Sequence, residues 1–151
     1  MADDSAANRR EISITRISKG VYEATNNRGG TMRFGSGDDA AFTPVELLLV
    51  ATGGCAAIDV DWLTSRRAEP ESFDVAVSGH KASEGGRNQM ADIDVCFDLA
   101  FPDGDEGDRA REVLPAAIER SHDRLCTVSR TVHHGAPVTM RAADRGSAHD
   151  D

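Results

Sequence analysis

The stretch FTPVELLLVATGGCAAIDV, running from Phe42 to Val60, decides the fold. It opens on a strong helix start. Thr43 is placed to act as N-cap, Pro44 suits the first helical position, and Glu46 completes a capping box. The pattern predicts a helix from Pro44 to about Arg66, ending before Pro70, and about 30 Å long at 1.5 Å per residue. Leu47, Ala51, Gly54, Cys55, Ile58 and Trp62 share one broad face. Leu48, Leu49 and Val50 carry the apolar surface around the helix, so the expectation is a central element buried on most sides.

Strands lie on both sides of this helix. REISITRIS (residues 10–18) alternates loosely and reads as one strand. GVYEATNNRGGTMRFG (residues 20–35) reads as a hairpin around Asn26 to Gly30. FDVAVSG (residues 73–79) is a further strand. MADIDVCFDLAF (residues 90–101) is the clearest of all. Ile93, Val95, Phe97, Leu99 and Phe101 fall on one face and Asp92, Asp94, Cys96 and Asp98 on the other. After the turn PDGDEGD, a second helix is expected from about Asp108 to Arg124. Val113, Leu114, Ala117, Ile118 and Leu125 would point inward, with Pro115 kinking the helix or marking its start. A last strand is expected around Val138 to Arg141. Strands and helices segregate instead of alternating strictly, which argues for an α+β fold with antiparallel sheet packed on two main helices.

The length of 151 residues fits one domain. The composition sets it at residues 11–142, between charged tails at 1–10 and 143–151. Hydrophobic residues make up 39%, a modest share that favours completing the core by association. The formal net charge of −9 repels phosphate backbones and anionic lipid, so neither nucleic acid nor membrane is an expected partner. Val45 to Ile58, the longest apolar candidate, is interrupted by Glu46, Thr52, Gly53 and Gly54 and falls short of a membrane span. The N-terminus has no apolar secretory core, so a cytoplasmic location is expected.

Three cysteines, Cys55, Cys96 and Cys126, do not make a disulfide framework. Cys55 has two readings: a small core residue, or a reactive thiol. Gly53 and Gly54 beside it each cost on the order of 1 kcal/mol in a helix interior, a cost tolerated where another element or a ligand must come close. Cys126, in SHDRLCTVSRTV (residues 121–132), is either a packed helix end or a thiol at a terminus that frays readily. Cys96 shares its strand face with three aspartates, which disfavour a thiolate, and reads as a bystander. Zinc is disfavoured because no short-spaced ligand pairs occur, and His133 and His134 are adjacent. The pair His122 and Cys126 alone has helical ligand spacing.

Taken together, FTPVELLLVATGGCAAIDV and SHDRLCTVSRTV resemble the two cysteine blocks of the OsmC/Ohr superfamily of thiol-dependent peroxidases. The resemblance extends over roughly Glu11 to Met140. It implies an intertwined α+β homodimer with active sites at the subunit interface, no resident cofactor, and an external dithiol as reductant. It places Cys55 and Cys126 as the redox pair and matches Glu46 to the family's acidic residue. It also implies an arginine from the N-terminal hairpin, for which Arg28 is the first candidate and Arg33 the reserve. Where the family carries proline after the second cysteine, this chain has Thr127.

On that reading, Cys55 attacks a hydroperoxide and Cys126 resolves the resulting sulfenic acid as a disulfide. A guanidinium would favour the thiolate, and Glu46 would hold it in addition to its capping role. Leu48, Ile58 and Trp62 would line an apolar approach suited to organic hydroperoxides, although plain core packing is the stronger account of Trp62. The competing expectations are a non-catalytic small-molecule binder of the same fold, a structural module with unreactive thiols, and a zinc protein.

Overall fold

The computed structural model describes residues 7–146, so residues 1–6 and 147–151 of the expected tails lie outside it. Three short strands come first: β1 (Ile12–Ser18), β2 (Val21–Asn26) and β3 (Thr31–Gly35). They form an antiparallel meander in the order β1-β2-β3. The Asn26 side chain holds its tight turn, accepting from the backbone N–H groups of Arg28 at 2.9 Å and Gly30 at 3.0 Å.

Helix α1 (Pro44–Thr64) follows. Two long strands, β4 (Ser72–Glu84) and β5 (Arg87–Ala100), then pair antiparallel with Val75 opposite Phe97 and Val77 opposite Val95. Their half-buried residues alternate with exposed ones, as the β5 sequence predicts: Ile93, Val95, Phe97 and Leu99 on one face, Asp94, Cys96 and Asp98 on the other. The ladder slips between Ser78 and His80, near Asp92, whose φ of +53° is tolerated by a short polar side chain.

The chain ends with α2 (Asp105–Arg120), a single π-helical turn (Ser121–Leu125) and α3 (Thr127–His134). Helix α1 packs against β4, α2, the π turn and α3, so it is central. Thr52, Gly53, Ala56, Val60 and Thr64 form its buried face. Its opposite face is not covered within the chain: Ile58 is 61% exposed and Trp62 70%. The expectation of burial on most sides is therefore corrected, because the described residues supply packing surface to one side of the helix only. By length and composition α1 is also able to cross a membrane, contrary to the reading of its polar interruptions.

Three further expectations change. The second helix starts earlier, with Asp105, Glu106 and Asp108 in a first turn that suits acidic side chains, so Pro115 lies inside it. It gives way at Ser121 to the π turn, which puts Cys126 at the start of α3 instead of the end of α2, and leaves Leu125 exposed. Residues 138–141 form no strand; Val138 and Met140 are exposed and the segment finds no strand edge in its own chain.

Candidate functional site

The capping box at the head of α1 is present as its residues predict. Glu46 Oε2 accepts from the Thr43 backbone N–H at 2.7 Å and the Thr43 hydroxyl at 2.9 Å, while Thr43 Oγ1 accepts from the Glu46 N–H at 3.3 Å. The backbone and side-chain hydrogen bonds from Thr43 hold the Glu46 carboxyl below its ordinary value. Glu46 lies nine residues before Cys55, or about 13 Å along the axis. Its observed role is the cap.

Two turns further along, the two glycines part company. A Cβ on Gly53 would lie 2.3 Å from Val77 Cγ2, whereas one on Gly54 would meet nothing within 4 Å. Gly53 is thus the point of closest approach between α1 and β4, and Gly54 faces the uncovered side. Cys55 follows directly and is half-buried.

Cys126 is 0% exposed. Its backbone N–H donates to Ser121 O at 2.9 Å, closing the π turn, and its extended ψ of 97° makes it the N-cap of α3. The sulfur accepts from the Ser129 N–H at 3.4 Å and lies 4.0 Å from the Thr52 carbonyl. This arrangement places the Cys126 thiol within hydrogen-bonding reach of the Cys55 thiol. Two sulfurs separated by most of a hundred residues of chain thus meet where α1 runs beneath the first turn of α3. Cys96 stands apart from them, exposed on the outer face of β5.

Burial pushes the Cys55 thiol up from its ordinary value; the Val128 backbone N–H opposes this, and the Cys126 thiol and Asp59 carboxylate reinforce it. Among the described residues, no guanidinium acts on Cys55. Arg28 is exposed on the β2–β3 turn and makes no ion pair among the described residues. Arg33 pairs with Asp39 at 3.1 Å. Among the described residues, the N-terminal sheet carrying both arginines has no substantial contact with the other elements of its own chain.

Leu48, Cys55 and Trp62 are spaced seven residues apart and form one stripe along α1. A cleft of about 520 Å³ lies on the other flank of the helix, with Thr52, Ala56, Ser121 and Ser129 among its lining residues and His122 and His133 beyond them. Leu48, Ile58 and Trp62 are not part of that cleft. Among the described residues, no group of three or more His, Cys, Asp or Glu side chains is arranged to hold a metal.

Sequence reading missed Asp59, Ser121, Val128 and Ser129. Asp59 left a trace, a carboxylate four residues after Cys55 in an otherwise apolar run. The others act through a π turn and through backbone N–H groups, which leave no side-chain pattern.

A chain that joins an antiparallel α+β fold to a contacting pair of cysteines from two distant segments defines a class of thiol-pair proteins. Residues 36–141 match the model of a family described as OsmC-like protein, and the chain belongs to that family. An uncharacterized protein of Mycobacterium tuberculosis is 30% identical over 139 residues, covering 91% of this chain and 98% of that protein. The structure of an OsmC-like protein of unknown function from Vibrio cholerae superposes with a TM-score of 0.71 at 11% identity, covering 82% of this chain and 93% of that one. The organic hydroperoxide resistance protein OhrB of Bacillus subtilis superposes with a TM-score of 0.52 at 11% identity, covering 83% and 91%. At these identities the likeness to solved structures is one of fold.

Proposed function

We propose that this protein is a thiol-dependent peroxidase acting on organic hydroperoxides as a homodimer. The contact between the Cys55 and Cys126 thiols carries the reading. The name of the Bacillus subtilis relative, an organic hydroperoxide resistance protein, is in keeping with it.

The Cys55 thiolate attacks the O–O bond of ROOH. The bond breaks, ROH leaves with a proton, and Cys55 becomes a sulfenic acid. The Cys126 thiol then displaces water from that sulfur, forming the Cys55–Cys126 disulfide. An external dithiol reduces this by exchange and is itself oxidised to a disulfide, so the protein needs no resident cofactor. Leu48, Ile58 and Trp62, on the same side of α1 as Cys55, give ROOH an apolar approach.

A second copy supplies what the single chain lacks. Burying Ile58 or Trp62 against it stabilises the dimer by about 1.5–3 kcal/mol per side chain. The N-terminal sheet, with Ile12, Ile14, Ile17 and Met32 exposed, is free to pack on that copy. Arg28, without an ion-pair partner among the described residues, then reaches the other chain's Cys55 and favours its thiolate, and Glu46 Oε1 steadies the guanidinium.

The test is single-turnover mass analysis with one equivalent of an organic hydroperoxide. The wild-type protein loses two hydrogen masses, Cys126→Ser gains one oxygen on Cys55, and Cys55→Ser is unchanged. Turnover surviving in Cys55→Ser rejects the reading. The 520 Å³ cleft supports a second reading, a non-catalytic small-molecule binder, which requires that no peroxide be consumed even with a dithiol present.

A further inference from the structure

Asp59 lies one helical turn after Cys55, half-buried, and is, among the described residues, the only charged side chain that acts on the Cys55 thiol. Its carboxylate has a partner 62 residues away in sequence: the Ser121 hydroxyl donates to Asp59 Oδ2 at 2.9 Å. Ser121 is 1% exposed and is the first residue of the π turn. Its carbonyl in turn accepts the Cys126 N–H at 2.9 Å. The contacts therefore close a ring. Cys55 and Asp59 are joined by one turn of α1, Asp59 by a hydrogen bond to Ser121, Ser121 by another to Cys126, and Cys126 by its thiol to Cys55.

We infer that Asp59, acting through Ser121, is a positioning residue that clamps the π turn to α1 and so holds the resolving thiol over the nucleophile. This inference rests on the proposed peroxidase reading for its use, since a sulfenic acid is resolved only as fast as a second thiol is presented to it. The physical argument does not depend on peroxide. A π turn is a strained, single-turn element that marks functional positions. Without an anchor, the segment from Ser121 to Cys126 would be free to relax toward ordinary helix and rotate the Cys126 sulfur away. A hydrogen bond to an ionised group is worth enough to oppose that, about a tenfold or greater effect on an equilibrium. The ring also explains why a carboxylate is present where it works against thiolate formation. Its geometric work on Cys126 accompanies an electrostatic burden on Cys55, which a second copy's cation would offset.

Asp59 and Ser121 separate these two effects. Asp59→Asn keeps an oxygen acceptor for the Ser121 hydroxyl and removes the charge. Ser121→Ala keeps the charge and removes the clamp. The readouts are the equilibrium constant for forming the Cys55–Cys126 disulfide in mixtures of oxidised and reduced dithiothreitol, and the pH profile of Cys55 alkylation in the reduced protein. In the first, two protein thiols are oxidised as one dithiothreitol disulfide is reduced, and no peroxide takes part. The clamp predicts that Ser121→Ala lowers the disulfide equilibrium constant about tenfold or more. Asp59→Asn keeps a neutral hydrogen bond, so it lowers the constant less than Ser121→Ala does, and it moves the alkylation midpoint to lower pH.

Equal disulfide constants in wild type and Ser121→Ala overturn the inference. If Ser121→Ala does not fold, Asp59→Ala takes its place, since it removes the acceptor and leaves the serine; an unchanged constant there overturns the inference as well. A wild-type protein that forms the disulfide in dithiothreitol mixtures yet consumes no hydroperoxide refutes the peroxidase reading while leaving the clamp standing. A wild-type protein that forms no disulfide refutes both.

Discussion

The backbone N–H of Ser129 points at the Cys126 sulfur from 3.4 Å, and its neighbour Val128 offers its own N–H to Cys55. Among the described residues, the first turn of α3 is thus the only thiolate-favouring device at Cys55, and burial outweighs it there. A monomeric variant, Trp62→Glu, is expected to alkylate Cys55 with a midpoint above the ordinary thiol value of about 8.5. On the proposed homodimer the wild type should show a lower midpoint, because a guanidinium would join the site. Identical profiles would remove the second copy from the activation of Cys55. The same shift bears on stability. A thiol whose folded value is raised contributes stability that is fully present below its unfolded value of about 8.5 and is lost as pH rises through the folded value. Thermal melts of Trp62→Glu should therefore weaken above about pH 8.5, and adding Cys55→Ser should flatten that limb.

Arg28 and Arg33 are separable by their present partners. Arg33 is committed to Asp39 at 3.1 Å, while Arg28 pairs with no carboxylate among the described residues. Arg28→Ala should raise the Cys55 alkylation midpoint in the dimer and slow peroxide turnover. Arg33→Ala should leave both close to wild type, since an exposed pair of this kind is worth at most about 1 kcal/mol. The opposite pattern would transfer the role to Arg33.

The paired glycines give a prediction of opposite signs. Gly53→Ala puts a methyl group 2.3 Å from Val77 Cγ2, so α1 must lift from β4. Such overpacking costs about 1–3 kcal/mol, measurable by urea denaturation. Gly54→Ala meets nothing within 4 Å in its own chain and improves helix propensity by about 1 kcal/mol. Within a monomer it should stabilise. If the second copy approaches at Gly54, sedimentation should show a weakened dimer from the same substitution.

The elements with strong local signals were legible in the sequence. Thr43, Pro44 and Glu46 specify the start of α1 without reference to anything distant, and the alternation from Ile93 to Leu99 specifies β5 in the same way. The segment from Ser121 to Cys126 was not legible, because a π turn differs from an α-helix only in which carbonyl each N–H reaches, and side-chain spacing hardly records that choice. The burial of α1 was misjudged for another reason. A helix apolar on all sides announces that it will be covered, but not by which chain. The two cysteines were legible as candidates from their motifs, whereas their meeting, like the Asp59–Ser121 bond beside it, joins residues with no local sign of each other.

Glu46 offers the last test, because its two carboxylate oxygens have different employment. Oε2 takes both hydrogen bonds from Thr43, so on the proposed homodimer Oε1 is the oxygen that would receive a guanidinium from the second copy. Glu46→Gln keeps a side-chain oxygen for the cap, as glutamine does in capping boxes, but carries no charge. Its neutral-pH stability should fall slightly, by the small contribution of the exposed carboxylate's charge, while peroxide turnover falls about tenfold through loss of a charged hydrogen bond to Arg28. Thr43→Ala should do the reverse, lowering stability by about 1 kcal/mol with turnover largely kept. The acid limb provides an internal check. The Glu46 carboxyl is held below its ordinary value, so its contribution to stability is present above the unfolded value of about 4.3 and is lost as pH falls through the folded value. Glu46→Gln should flatten that limb in melts taken below about pH 4.3. Unaltered turnover beside a flattened acid limb would confine Glu46 to capping α1 and leave Arg28 to find its own footing.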